Sequence, residues 1–347
     1  MTTAHPAAIT PVLATGQVHC HDTAGREIPC PGTGQDGEHR RGRPWPSPRF
    51  EPHGELVRDR LTRLVWPRRV NFAGFPLSWD EALAFVREMN RERRLGYGDW
   101  RLPNRRELRS VLSMQAARPA LPGGHPFSEI FAGWYWTSTT AAISPAHAWY
   151  VQIEGARMFY GGKDQSFLVW PVRGDPGHRL ARTGQNRCHD AAGREIPCAG
   201  TGQDGEFRTG AAWPRPRFTP TPRGVLDRLT GLCWHPCADL TGGPVDWDSA
   251  LAAVAALGAG GGPHWRLPNI NELESLVDAS RAGPALPAAA PFERVRGAYW
   301  SSTTSAYEPD WAWALYLDQG AVGVGQKAGP HFHVWAVSDA EPRVPGT

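Results

Sequence analysis

Six cysteines are the residues with the widest chemical scope in this 347-residue chain. Cys20/Cys30 and Cys188/Cys198 are each separated by nine residues, and Cys233/Cys237 form a closer third pair. Zinc sites usually combine two close half-sites, C-x2-C or C-x2-4-H, and none of these pairs supplies one. An even number of cysteines in local pairs favours three disulfides and an oxidising compartment; the competing reading is reduced, buried thiols.

The phrase GTGQDGE places Asp36 near Glu38 and, later, Asp204 near Glu206. Calcium takes roughly six to eight oxygen ligands, and two carboxylates without a D-x-D-x-D-G pattern fall short. Asp-Gly therefore reads as a turn. His125, His147, His331 and His333 are scattered; only the last two lie close, where a two-histidine metal site competes with a solvated loop. Ser138 and Ser302 have no histidine paired with them in a repeated way, so a hydrolase triad has no support. No metal set, cofactor motif or catalytic residue emerges, and the expectation is a protein that binds rather than catalyses.

The cysteine pairs and acidic phrases recur because the chain is a tandem duplication. TGQVHCHDTAGREIPCPGTGQDGE (15–38) returns as TGQNRCHDAAGREIPCAGTGQDGE (183–206). DRLTRLVW and DRLTGLCW, the two WRLPN phrases, and YWTSTT and YWSSTT follow in the same order. The expected organisation is a leader 1–14, a repeat 15–174, a linker 175–182, a repeat 183–338 and a tail 339–347.

Each repeat opens with Gly, Asp and Pro at turn positions around its cysteine pair, which reads as a stapled hairpin. Trp79, Ala82, Leu83, Val86 and Met89 then form a helical stripe, with Ser78 and Glu81 placed for a capping box. Trp247, Ala250, Leu251 and Val254 repeat the stripe after Asp246. In WRLPNRREL and WRLPNINEL, Asn104 and Asn269 are placed to cap a helix, and Glu107 and Glu272 to reach back to the cap's amide. That phrase is frame rather than site. Period-two alternation follows in Trp149, Val151 and Ile153, and in Trp313, Leu315 and Leu317, before last strands in FLVWPV and FHVWAV. Two helices followed by an antiparallel sheet make an α+β repeat.

A net charge of +3, from 37 basic and 34 acidic side chains, argues against a protein that coats nucleic acid. No apolar run approaches the roughly 18 residues of a membrane span. The opening MTTAHPAAITPVLATGQ has no basic n-region and no apolar core, so a secretion signal is not visible in it.

The series CxDxxGxxIxCxGTGQDG, DxLTGLxW, WRLPNxxEL, YWSSTT and a terminal VWPVRG resembles the C-terminal domain family of the Legionella collagen-like adhesin. The resemblance covers nearly all of both repeats. The RLP phrase and late Trp/Ser strands bear a weaker likeness to C-type-lectin-like and formylglycine-generating-enzyme folds. Formylglycine-generating chemistry would need cysteines late in each repeat, and none follows Cys237. The resemblance implies two tandem C-type-lectin-like domains, each with two helices and a mainly antiparallel twisted sheet. It also implies a surface or secreted protein that adheres to an anionic, sulfated or acidic, glycan.

Lys163 and Lys327, the only lysines, align between the repeats. Such a lysine either folds its stem over a tryptophan or pairs with a buried carboxylate, or it presents a cation at the exposed end of the sheet beside Arg157 and Tyr160. Trp134, Tyr160, Tyr307 and Trp311 have no match in the other repeat, and a binding surface can vary where a core cannot. The candidate ligand-binding set is therefore Lys163, Arg157, Tyr160, Trp134, Lys327, Tyr307 and Trp311. The expected partner is an anionic polysaccharide or cell-envelope glycan. The alternative is a structural subunit of an extracellular assembly that binds other protein chains. The expected location is extracellular, cell-surface or periplasmic.

Overall fold

A computed structural model describes residues 9–258 and 263–339. The first eight residues of the expected leader, and the expected tail beyond Asp339, lie outside the described residues.

The stapled hairpin forms because Asp22 turns the chain back on itself. Its carboxylate accepts from the amides of Ala24 and Arg26, both at 2.9 Å, and from the Arg26 guanidinium at 2.8 Å. This aligns β1 (Cys20–His21) antiparallel to β2 (Glu27–Ile28), and a disulfide joins Cys20 to Cys30. Glu38 then accepts from the amides of Gly32 and Gly34, both at 2.7 Å, and folds the GTG loop onto the one-turn helix α1 (Asp36–His39). The acidic phrase thus builds a helix start as well as a turn.

A three-stranded sheet follows, β3 (Phe50–His53), β4 (Leu56–Asp59) and β5 (Val65–Pro67), with Phe50 opposite Asp59 and Leu56 opposite Pro67. Helix α2 (Trp79–Arg91) begins at the Ser78/Glu81 capping box and buries Trp79, Ala82, Leu83, Val86 and Met89. Helix α3 (Arg105–Ser110) begins at Asn104, whose side chain accepts from the amides of Arg106 and Glu107, while Glu107 accepts from the Asn104 amide at 2.9 Å. The meander β6 (Trp134–Thr140), β7 (His147–Gln152) and β8 (Met158–Gly162) completes the repeat, with an irregularity between Trp136 and Thr140.

The second repeat has the same parts. They are β9 (Cys188–His189), β10 (Glu195–Ile196), α4 (Asp204–Phe207), and the sheet β11 (Phe218–Thr221), β12 (Gly224–Asp227) and β13 (Leu232–Trp234). Helices α5 (Trp247–Gly258) and α6 (Ile270–Ser275) follow, α6 with its Asn269/Glu272 capping box in place. The second meander is β14 (Ala298–Thr304), β15 (Trp311–Tyr316) and β16 (Ala321–Gln326). Strand β17 (Val337–Asp339) pairs with β13, so the FHVWAV segment runs into a short strand. Its counterpart FLVWPV makes isolated bridges only, Leu77 to Phe167, Tyr135 to Leu168 and Arg101 to Val172. Pro171 has no amide hydrogen to give a ladder, and the segment changes partner every few residues.

The two meanders meet edge to edge where Val322 pairs with Met158, giving one six-stranded sheet in the order β14-β15-β16-β8-β7-β6. Trp79, Trp100 and Trp136 centre one core behind α2, and Trp247 and Trp300 centre its twin behind α5. A third core crosses the boundary, joining Leu108, Leu112 and Met158 to Leu273, Leu276 and Val322. The architecture is α+β in two tandem repeats.

The stapled segments are exchanged between these repeats. Gln17 donates to the Thr304 carbonyl at 2.8 Å and accepts from the Thr304 amide at 2.9 Å. Asn269 donates to the Arg41 carbonyl, and Asn271 to that of Leu13. Reciprocally, Gln185 donates to the Thr140 carbonyl, Asn104 to the Thr209 hydroxyl, and Arg87 to the Thr201 carbonyl. The stretch 15–45 belongs to the first repeat by order and grips the second, and 183–213 does the converse, while Thr15 and Thr183 each also accept from an amide of their own repeat, Met114 and Ala279.

Candidate functional site

Both lysines are buried, Lys163 at 1 % and Lys327 at 0 % exposure, so of the two expected placements the stem over a tryptophan holds and the open sheet end does not. Lys327 Nζ lies 4.2 Å from the Trp247 ring and donates to the carbonyls of His21 at 3.0 Å and Asp22 at 3.2 Å. Lys163 Nζ lies 4.1 Å from the Trp79 ring and donates to the carbonyls of His189 and Asp190 at the same two distances. Each cation grips the staple of the other repeat across a tryptophan face, a geometry that favours the charged form. Burial works against the charge and lowers Lys163 to about 8 and Lys327 to about 7.

The acidic phrase supplies the second clasp. Asp36 Oδ2 accepts from Thr15 Oγ1 at 2.7 Å, in its own segment, and from Thr303 Oγ1 at 2.8 Å, in the opposite repeat. Asp204 repeats this with Thr183 at 2.7 Å and Thr139 at 2.8 Å. Burial raises both carboxyls to about 6, against the two hydroxyl hydrogen bonds that lower them.

The other expected ligand residues do not converge on the lysines. Tyr307 of the second repeat meets two guanidiniums of the first, Arg118 at 4.4 Å and Arg157 at 5.8 Å from its ring, and Arg157 pairs with Glu308 at 2.7 Å. Arg157 and Tyr307 are thus brought together, in the contact between repeats. Tyr160 packs edge-on against Trp149 at 5.3 Å, and Trp134 against Tyr150 at 4.5 Å. Trp311 sits half-buried at the start of β15, opposite Gln326.

Two of the three expected disulfides form, Cys20–Cys30 and Cys188–Cys198; Cys233 and Cys237 are free. Cys233 lies in β13 and its thiol points to the Arg223 carbonyl at 3.6 Å. Beyond the strand, Cys237 bridges to Glu293 and its thiol points to the Asp239 carbonyl at 3.5 Å. The chain leaves β13 between them, and the two sulfurs face different acceptors. Burial raises the Cys233 thiol above its ordinary value, so it is a weak nucleophile. Among the described residues no group of three or more His, Cys, Asp or Glu side chains is arranged to hold a metal, and His333 bonds Asp239 at 3.1 Å.

A model of the Lcl C-terminal domain matches residues 55–173 and again residues 223–338. The chain belongs to the Lcl C-terminal domain family. No match was found among the curated proteins or the solved structures. Membership makes the chain adhesin-like, and its two disulfides are compatible with an extracellular location. No helix among the described residues is long and apolar enough to cross a membrane. Both Lcl C-terminal domain matches begin after the stapled segments, so the matched regions are the receiving surfaces for the exchanged staples.

The two Lcl repeats also differ in charge around Arg179. Burial, and then the like charges of Arg43, Arg63 and Arg58, lower the Arg179 guanidinium below its ordinary value. Arg58 and Arg63 are exposed, and neither they nor Arg43 pair with a carboxylate among the described residues. The aligned positions in the second repeat are Leu226, Gly231 and Ala211, and Pro11 aligns with Arg179. Sequence reasoning missed this cluster because in a chain rich in arginine only three-dimensional proximity singles these four out. The mismatch between the repeats at these four positions was its one visible signal.

Proposed function

We propose that the chain is a non-catalytic adhesion protein that binds an anionic polysaccharide through Arg43, Arg58, Arg63 and Arg179. The supporting observation is this gathering of four guanidiniums, none of them in an ion pair among the described residues; Asp59, the carboxylate that acts on Arg179, is already held by Arg49. Arginine's planar fork matches sulfate and carboxylate oxygens in pairs, and clustered like charges are relieved by a polyanion. Because the second repeat carries no such cluster among its described residues, there is one such polysaccharide site in each chain. Heparin binding across a salt series tests it. Arg58→Ala/Arg63→Ala should weaken binding and reduce the salt dependence by about two charges' worth, while Lys163→Met/Lys327→Met should leave both unchanged. Equal heparin affinity in wild type and the arginine double variant would refute this assignment. A second reading, a subunit that links to other chains of an extracellular assembly, is favoured by the exchanged staples, since the same contacts made between chains would join them.

A further inference from the structure

A pocket opens between the repeats, floored by α3 and α6 and walled by residues 10–14 and 179–181. About 80 Å³ of it admits the centre of a water-sized sphere. The charges lining it do not balance. Arg106, Arg109 and Arg179 face one carboxylate, Glu274. That carboxylate is already engaged by Arg109 at 2.8 Å and by Arg105 at 3.7 Å. Arg106 donates to the carbonyls of Ser275 and Val277, and Arg179 reaches only the Leu61 carbonyl, at 3.4 Å. Two atoms of lining residues, Arg109 Nη2 and Thr10 Oγ1, are buried without a hydrogen-bond partner, in residues 5 % and 4 % exposed. Burial, with the like charge of Arg217, lowers Arg106 to about 10. Leaving buried donors unsatisfied costs about 1–3 kcal/mol each. An anion would answer both the charge excess and the missing acceptors. The rest of the lining is apolar, with Leu13, Leu112, Met114 and Leu180 beside the charged edge.

We propose that this pocket binds a small amphiphilic anion. Its carboxylate, sulfate or phosphate head sits between Arg106, Arg109, Arg179 and Thr10, and its alkyl part lies against Leu112, Met114 and Leu180. This site shares Arg179 with the polysaccharide reading, but Arg58 and Arg63 lie outside the pocket and test that reading separately.

Isothermal titration of the full chain with octanoate, octanol and inorganic sulfate tests it. Octanoate should bind saturably, one per chain, and at least about tenfold more tightly than octanol or sulfate, the worth of one charge-assisted contact. Arg179→Ala should weaken octanoate about tenfold without moving the melting temperature. Thr10→Val gives an independent reading of the same head site should the first variant lose its fold. Arg58→Ala/Arg63→Ala should leave octanoate binding within about twofold while heparin binding falls. Octanol binding as tightly as octanoate would make this an apolar cleft and overturn the proposal. So would unchanged octanoate affinity in Arg179→Ala and Thr10→Val, or no saturable octanoate binding at millimolar concentration.

Discussion

Replacing Lys163 and Lys327 by methionine tests the clasp at its most sensitive point. Each variant keeps the stem over the tryptophan and removes two donors from carbonyls of the opposite staple. Two such bonds are worth about 2 kcal/mol together when the amine is neutral. Burial holds the amines at about 8 and about 7, against 10.5 for a free lysine. Between those values the unfolded chain binds the proton more firmly, so wild-type stability rises with pH from about 7 toward 10. It levels off below about 7, where both states are protonated. At about 1.4 kcal/mol for each tenfold in proton affinity, the upper bounds are about 3 kcal/mol for Lys163 and about 5 kcal/mol for Lys327. Urea unfolding from pH 6.5 to 9.5 reads the effect, in a Cys233→Ala/Cys237→Ala background so that no free thiolate attacks the staples. The double methionine variant should lose most of the pH dependence and should be penalised most at pH 9.5. A variant as stable as wild type at pH 9.5, or one that keeps the same pH slope, would refute the clasp and return the lysines to the surface.

Asp36 and Asp204 should act in the opposite direction. Their carboxyls are held at about 6 against 3.8 in the unfolded chain, so stability is greatest below about pH 4 and is lost as pH rises to about 6. The loss is at most about 3 kcal/mol per site, and Asp36→Asn/Asp204→Asn should flatten that limb of a melting-temperature profile. Glu274→Gln leaves Arg105 and Arg109 buried without a counter-charge and should cost about 3–5 kcal/mol in urea unfolding; under 1 kcal/mol would contradict the pairing. Thiol titration of the unfolded, unreduced chain should find two reactive cysteines, and a count of six or of none would contradict the two-staple arrangement.

Local chemistry was legible where short-range rules decide the outcome. Asn104 with Glu107, and Asn269 with Glu272, form the capping boxes that their three-residue spacing predicts. The tandem meanders follow from period-two alternation, and two cysteine pairs close as their spacing predicts. Cys233 and Cys237 misled because proximity in sequence says nothing about which way a side chain leaves a strand. The exchange was not legible because the stapled segments are nearly identical, so no pattern states which repeat each one grips. The paired lysines were its one trace. Their alignment is plain in the sequence, yet an ammonium held between carbonyls and a tryptophan face has the same sequence signature as one held out to solvent. The pocket needed both repeats in place, since Arg109 of α3 meets Glu274 of α6 across a gap of 165 residues.

The exchange also has a genetic consequence. Near-identical coding segments in tandem invite unequal recombination, whose ordinary product is a gene with one copy deleted. Here the surviving repeat would keep a staple shaped for a sheet that no longer exists in its own chain, and a sheet whose clasping lysine grips nothing. Such a product could complete its contacts only by borrowing a staple from a second polypeptide, as a homodimer. The present chain reads as that dimer with its subunits written into one reading frame, and each half can drift only as far as the other follows.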